Sequence, residues 1–329
     1  MKQIGMKILV VGPYWIGGWT DSVISALKKL NCEVEVFYYN NIINHGTAKN
    51  ISTFIYVEPP IYIKEVLWSL ITSREIDARL LKMANSFQPD IILILKGEMI
   101  LPKTLDKLKK ISNNPILINW WTDNPIYYDE KHKWRIFSNS IKKYDHIFVF
   151  DYAYIEALRG LGAKQVSFLP CAADTSRYYP EVLNYEQRLR LECKVCFIGS
   201  FYNNRGELIK PFLNIQGLAI WGKGWDKFLK KNGISDIKSI IKDYYIPIEE
   251  VNRVYQAAVL VLNSHHLQTK IAGLNSRAFE ILASGGLQLM DYVQNMEELL
   301  KPEEEVFVYR TPQEGAALAK ELIRDPAIC

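Results

Sequence analysis

The sequence predicts two tandem α/β domains, each a doubly wound, mostly parallel sheet. Three observations carry that prediction. Short unbroken apolar runs of strand length alternate with segments of helical period through the first half. The alternation breaks over residues 170–191, which hold Pro170, Pro180 and the polar run Asn184-Tyr-Glu-Gln-Arg188. It then restarts and continues nearly to the end of the chain. Apolar strands separated by helices mark parallel sheets covered on both faces. A length of 329 residues suits two domains, and 49% apolar content suffices for two cores. The expected domains are 1–172 and 173–329, with the linker at their junction.

The elements follow in order. Lys7-Ile-Leu-Val-Val-Gly12 reads as a buried strand. Thr20 or Asp21 can cap a helix whose apolar positions are Val23, Ile24, Leu27 and Leu30. Glu33 to Phe37 alternates like a strand. A long helical region runs through Phe87, and Asp90 to Leu95 is the next strand. Pro102 to Ile111 opens with Pro in the first helical turn. Strands follow at Pro115–Asn119, His146–Phe150 and Gln165–Leu169. The second half places strands at Lys194–Ile198, Gly217–Trp221, Val259–Leu262, Leu287–Met290 and Glu305–Tyr309.

Composition excludes several classes. Forty basic and 36 acidic residues leave a net charge of +4, too little for a nucleic-acid partner. The five cysteines are odd in number and scattered, which argues against a disulfide framework and for a reducing cytoplasm. Cys193 and Cys196 are three apart in a strand, so they are expected on opposite faces as packing residues. No signal peptide is visible. The most apolar window, Thr53 to Thr72, contains Glu58, Lys64, Glu65 and Pro59-Pro60, which a membrane-spanning helix would tolerate poorly. Peripheral membrane contact stays open. No metal site is expected: His265-His266 are adjacent, and no Asp-x-Asp motif occurs.

In open α/β sheets, ligands bind at the carboxyl ends of the strands. Two such domains facing each other form a cleft, and the candidate residues gather there. Gly12-Pro-Tyr-Trp-Ile-Gly17-Gly18 follows the first strand, but Gly18 stands where a phosphate-binding loop requires lysine. The pattern of dinucleotide binders is also missing. These glycines permit either backbone approach to a ligand or a tight turn. Asn119-Trp120-Trp121-Thr122-Asp123-Asn124-Pro125 ends the fourth strand. Its tryptophans, amide and carboxylate suit sugar contacts, and Asp123 is the acid/base candidate by position, or else a turn cap. Gly199-Ser200 with Arg205 is a strand, glycine turn and polar loop in which Arg205 could reach a diphosphate. Gly222 and Gly224 permit close backbone approach, and Lys223 between them offers charge. Lys227, Lys230 and Lys231 read as a solvated helix face.

The most informative stretch is Gly273-Leu274-Asn275-Ser276-Arg277-Ala278-Phe279-Glu280-Ile281-Leu282-Ala283-Ser284-Gly285-Gly286. It reads as loop, helix start, short helix and glycine stop, with Asn275 or Ser276 as N-cap. Arg277 is out of place there, because the helix dipole disfavours a cation in the first turn. An anion at the same end resolves the conflict, since helix N-terminal amides form an anion site. Glu280 lies one turn on, on the face of Arg277. A nucleotide diphosphate with a ribose beyond it fits this pair; a plain Arg277–Glu280 surface pair is the alternative.

The chain resembles the group-1 type glycosyltransferases of GT-B fold, in the branch that includes the CgeB-like spore-maturation proteins. The matching residues are Phe197-Ile-Gly-Ser200 with Arg205, Trp221-Gly-Lys-Gly-Trp225, Asp243 to Glu250, and Leu262-Asn263. Above all they include Asn275 to Gly285 with Leu289-Met-Asp291; Glu297 to Leu300 and Glu305 to Tyr309 also fit. The first half agrees more loosely, through Trp120 to Pro125 and Leu169 to Asp174.

The resemblance implies a nucleotide-sugar donor in the second domain, no cofactor and no metal. Glu280 would bind the ribose. Gly273, Leu274, Asn275, Ser276 and Arg277 would surround the diphosphate, with Gly199, Ser200, Arg205, Gly222 and Lys223 beside them. The first domain would hold a carbohydrate, protein or lipid acceptor, near Gly17, Gly18, Trp19, Trp121 and Asn124. The implied reaction is hexosyl transfer, with Asp123 as base if it inverts. A non-catalytic nucleotide- or glycan-binding protein and a sugar-nucleotide epimerase or phosphorylase are the rival readings. Two departures matter. Gly273 stands where many relatives carry an earlier glutamate. The family usually continues beyond Asp325-Pro-Ala-Ile-Cys329 with a further helix, so a truncated C-terminus stays open.

Overall fold

The computed structural model describes residues 5–14, 18–40, 61–126, 131–267 and 269–324, with side chains of 61–72 and 131–133 left aside. The chain divides into two compact units, Met1–Leu169 and Pro170–Cys329.

The first unit is a six-stranded parallel sheet in the order β2-β1-β3-β4-β5-β6. Its strands are β1 (Lys7–Gly12), β2 (Glu33–Tyr38), β3 (Ile91–Leu95), β4 (Ile116–Trp121), β5 (His146–Val149) and β6 (Val166–Phe168). The helices are α1 (Trp19–Lys29), α2 (Ile61–Phe87), α3 (Pro102–Leu108), α4 (Lys131–Ser140) and α5 (Ile155–Gly160). Leu9, Val10 and Val11 are consecutive and all fully buried, so both faces of the sheet are covered. That is why the strand reads as an unbroken apolar run rather than an alternation.

The second unit is also a six-stranded parallel sheet, in the order β12-β11-β10-β7-β8-β9. It contains β7 (Cys193–Ile198), β8 (Leu218–Trp221), β9 (Ile241–Asp243), β10 (Ala258–Asn263), β11 (Gln288–Asp291) and β12 (Phe307–Tyr309). Helices α6 (Tyr185–Leu191), α7 (Asn203–Ile209), α8 (Asp226–Lys231), α9 (Ile248–Ala257), α10 (Ser276–Ala283) and α11 (Pro312–Leu322) accompany them. Read from β9, the sheet has the doubly wound nucleotide-binding order, with the chain reversing direction between β7 and β10. The two units are Rossmann-like folds, as the alternation of elements predicts. Among the described residues, no helix is long and apolar enough to cross a membrane.

Four local expectations need correction. The stretch 170–191 is not a bare linker. Asn184 and Gln187 form a reciprocal capping box that starts α6, and Tyr178, Leu183 and Leu191 enter the core of the second unit. The short strand β9 escaped notice because Ile241-Lys-Asp243 has one buried residue and no apolar run. Neither Thr20 nor Asp21 caps α1, which begins at Gly18. Thr20 instead donates to the Pro13 carbonyl at 2.8 Å, and Asp21 accepts from the Tyr38 hydroxyl at 2.5 Å. Cys193 and Cys196 do not face apart but share one apolar cluster with Leu191 and Tyr255. Burial, then the hydrogen bond from Cys193, pushes the Cys196 thiol up.

One titratable group inside the first unit has a measurable consequence. Asp77 on α2 is 9% exposed. Burial pushes its carboxyl up to about 6, against the pull of Thr104, the Leu101 backbone and Lys107. A raised carboxyl favours the protonated fold. Its contribution is complete below the unfolded value of 3.8 and is lost as pH rises through about 6. Asp77→Asn is therefore expected to raise stability at pH 8 by about 1–3 kcal/mol and to flatten the profile between pH ~4 and ~6. Urea denaturation across that range measures both effects.

Candidate functional site

The reversal between β7 and β10 leaves a crevice at their carboxyl ends, where the sequence of the second unit concentrates its polar and glycine residues. After β7 comes Gly199, whose amide donates to the Trp221 carbonyl at 2.8 Å. Its own carbonyl accepts from the indole of the fully buried Trp225 at 2.9 Å. Gly222 has a φ of +150°, and a side chain there would stand 2.2 Å from the Gly199 carbonyl oxygen. The close approach that Gly222 permits is thus to the neighbouring strand end. Lys223 is exposed and holds the loop through its carbonyl, which accepts from the Phe201 amide at 2.8 Å. Lys227, Lys230 and Lys231 are exposed, as expected.

After β10, the chain enters α10 through a buried amide network. Asn263 is 1% exposed, and its Nδ2 donates to Asn275 Oδ1 and Gln288 Oε1, each at 3.1 Å. Asn275 Nδ2 returns a bond to Asn263 Oδ1 at 3.1 Å and reaches the Ser264 carbonyl at 3.2 Å. Asn275 Oδ1 also caps the helix, accepting from the Ala278 amide at 3.1 Å. Gln288 Nε2 donates to the Ala278 carbonyl at 3.0 Å. Three amides from two strand ends and one helix start are therefore locked together. Asn275, rather than Ser276, is the N-cap; Ser276 is exposed. Gly285 has a φ of +77° and ends the helix in the left-handed conformation. Gly273 and Leu274 are buried in the preceding turn, where the Gly273 carbonyl accepts from Thr269 Oγ1 at 2.9 Å. Ala272 beside them has a φ of +58°, a strained value for a residue with a side chain.

Arg205 and Arg277 converge on one ring from the two sides of the reversal. The Arg205 guanidinium lies 5.5 Å from the Phe197 centroid and that of Arg277 5.9 Å. Arg205 also covers Tyr202 at 5.0 Å and donates to the Ser200 carbonyl at 2.5 Å. Arg277 donates to Asn263 Oδ1 at 3.5 Å. Burial, then the like charge of Arg277, pushes Arg205 down to about 10. Glu280 is half-buried one turn beyond Arg277. Burial raises its carboxyl above the ordinary range despite the opposing pull of Arg277 and Ser276. The arrangement is two crowded cations, a helix start and one carboxyl reluctant to ionise. It holds unspent positive potential, which an anion would relieve.

The first unit places its candidates less uniformly. Gly17 lies outside the described residues. Gly18 is the buried residue before α1, and Trp19 packs edge-on against Trp120 at 5.1 Å. Trp121 departs from the expected sugar-facing role: it is 1% exposed and packs on Phe137 at 4.6 Å. Successive strand residues point to opposite faces, so the pair Trp120-Trp121 could not both face one ligand. Asn124 turns the chain, accepting from the Ile126 amide at 2.9 Å. Asp123 pairs with Lys96 at the end of β3. Burial depresses the Lys96 ammonium, but Asp123 and Glu98 outweigh it and raise it on balance. Glu98 itself is 7% exposed and accepts from the Tyr39 hydroxyl at 3.3 Å.

Sequence reasoning passed over Lys96, Glu98, Asn263, Gln288 and the pair His265–Asp291 as site residues. Asn263, His265 and Asp291 were in view as strand ends, but only their contacts reveal partners far apart in sequence. His265 Nδ1 lies 3.0 Å from Asp291 Oδ1, which also accepts from the His265 amide at 2.9 Å.

Asn263→Ala is expected to destabilise the chain by about 1–3 kcal/mol, because it strands the buried Gln288 amide and removes two bonds of the half-buried Asn275. Urea denaturation of the variant beside the parent measures this.

Known proteins place these features in context. Residues 205–328 match a family model described as glycosyl transferase-like. The spore protein CgeB of Bacillus subtilis (strain 168) is 25% identical over 226 residues, covering 65% of this chain and 68% of that protein. Sucrose-phosphate synthase from Thermosynechococcus elongatus has a TM-score of 0.68 at 14% identity, covering 98% of this chain and 91% of its own. HepE from Anabaena, in complex with UDP-glucose, has a TM-score of 0.65 at 14% identity, with coverage of 98% and 91%. Residues 205–328 thus resemble a glycosyl transferase-like family, in a chain that is similar to CgeB and whose Rossmann-like units have the GT-B fold.

Proposed function

We propose that the chain transfers a hexosyl group from a nucleotide-sugar donor to an acceptor hydroxyl, without a metal. The observation that carries this reading is the convergence of Arg205 and Arg277 over Phe197 beside the start of α10. Two guanidinium groups and the helix amides would hold the diphosphate of the donor. As the glycosidic bond breaks, charge grows on that leaving group, and preorganised cations stabilise it as an oxyanion site does. In this reading the arginines supply what a divalent cation supplies elsewhere. Glu280 would accept hydrogen bonds from the ribose hydroxyls. The UDP-glucose held by the Anabaena relative supports a donor of that class.

The acceptor is a carbohydrate, protein or lipid hydroxyl in this proposal. Asp123 in the first unit, paired with Lys96, is its base if the reaction inverts. The free thiols of Cys32, Cys193 and Cys196 fit work in the reducing cytoplasm. Gly273 in place of an acidic residue favours the second reading, a protein that binds the donor without transferring its sugar. Product analysis with and without acceptors separates the two readings.

Calorimetry with UDP, GDP and dTDP tests the donor site. Arg277→Ala is expected to weaken binding of the preferred nucleotide by about 10- to 100-fold, with stability changed by less than about 1 kcal/mol. Unchanged affinity would reject the diphosphate assignment, and a large loss of stability would make Arg277 structural. Glu280 contributes a pH signature. Its raised carboxyl protonates earlier than an ordinary glutamate as pH falls, and a protonated carboxyl loses acceptor capacity. Nucleotide affinity should therefore drop on acidification at a pH above the usual carboxylate range. Glu280→Gln should remove that component while leaving the titration of the phosphate itself.

A further inference from the structure

A pocket of about 300 Å³ lies within the second unit, lined among others by Asn204, His265, Thr269, Lys270 and Asp291. It adjoins the diphosphate candidates on both sides. Asn204 precedes Arg205 in the chain, and Thr269 is bonded to the carbonyl of Gly273. Its size is at the bottom of the range for ligand pockets, suited to one sugar ring rather than a whole nucleotide.

The histidine in its wall is built to read a hydroxyl group. The His265 side chain is 2% exposed and clamped by Asp291, whose Oδ1 accepts from both the backbone amide and ring Nδ1. A carboxylate accepts only, so Nδ1 carries the proton. In the neutral ring, Nε2 is then an acceptor, and it is buried without a hydrogen-bond partner. A buried polar atom left unpaired costs free energy, which a ligand can recover. An acceptor lone pair backed by a carboxylate repels phosphate oxygens and attracts hydroxyl hydrogens.

We propose that this pocket takes the sugar ring of the donor, with a ring hydroxyl donating to His265 Nε2, so that the His265–Asp291 pair selects the sugar. The inference rests on the nucleotide-sugar reading above. Asp291 is a positioning residue: it fixes the tautomer and the direction of the lone pair. A sugar lacking that hydroxyl, or presenting it in the other configuration, leaves Nε2 unpaired and binds more weakly.

The test compares UDP, UDP-glucose and UDP-galactose by calorimetry, with the GDP and dTDP series in parallel. His265→Phe keeps the ring volume and removes both nitrogens. It should leave nucleoside diphosphate affinity within about twofold while weakening the preferred hexose conjugate at least about fivefold. Asp291→Asn should shift the same ratio in the same direction, and His265→Gln, which keeps an acceptor, should recover part of the loss. Equal effects on the free diphosphate and its hexose conjugates would overturn the proposal while sparing the diphosphate site. Failure of the unaltered chain to bind any nucleoside diphosphate would overturn the donor reading and this one with it. Should His265→Phe not fold, a crystal of the unaltered chain with the preferred conjugate decides the matter. A sugar hydroxyl within hydrogen-bond distance of Nε2 supports the proposal, and a sugar ring lodged elsewhere ends it.

Discussion

The three-amide junction of Asn263, Asn275 and Gln288 holds the candidate donor site in place. It ties the end of β10, the cap of α10 and the start of β11 to one another out of solvent. Asn263 bonds to both of the other amides, so none of the three elements can shift alone without breaking a side-chain bond to another. That constraint aims the first turn of α10 and sets the base from which Arg277 projects. A purely apolar junction would bury as much surface but would not define direction, because hydrophobic contact is non-directional.

On this rigid base the unit carries an electrostatic debt. Arg205 and Arg277 stack on the same buried ring, and Arg277 raises the cost of charging Arg205. Their other contacts are carbonyl and amide oxygens and the Tyr202 ring, and the nearby Glu280 carboxyl resists ionisation. Such an arrangement is unfavourable by itself and becomes favourable when a polyanion enters. The strained backbone at Ala272 lies in the same turn, which fits a loop shaped for a ligand rather than for stability.

The same topological rule gives a different chemistry in the first unit. There the ends of β3 and β4 bring Lys96 and Asp123 together, with Glu98 beside them. Two carboxylates face one ammonium there, so this cluster exerts no pull on an anion. It suits proton transfer or neutral hydroxyl groups more than diphosphate. The contrast between a cationic crevice and a net acidic cluster follows from the residues at the strand ends, not from the fold the units share.

The sequence by itself determined the architecture and singled out the helix start at residues 275–280 as the candidate site. Unbroken apolar strands at regular intervals require sheets covered on both faces, and the misplaced charge of Arg277 at a helix start pointed to an anion there. Both arguments use interactions within a few residues, which a linear reading can see. The capping box at Asn184 and Gln187 was equally local, yet the prolines around it masked the helix. Tertiary structure alone decided which strand-end residues meet. Trp120 and Trp121 look alike in sequence, but pleating sends Trp121 into the core. Asn263 and Gln288 are 25 positions apart and His265 and Asp291 are 26 apart. No local periodicity links them; only the parallel pairing of β10 with β11 sets their ends side by side.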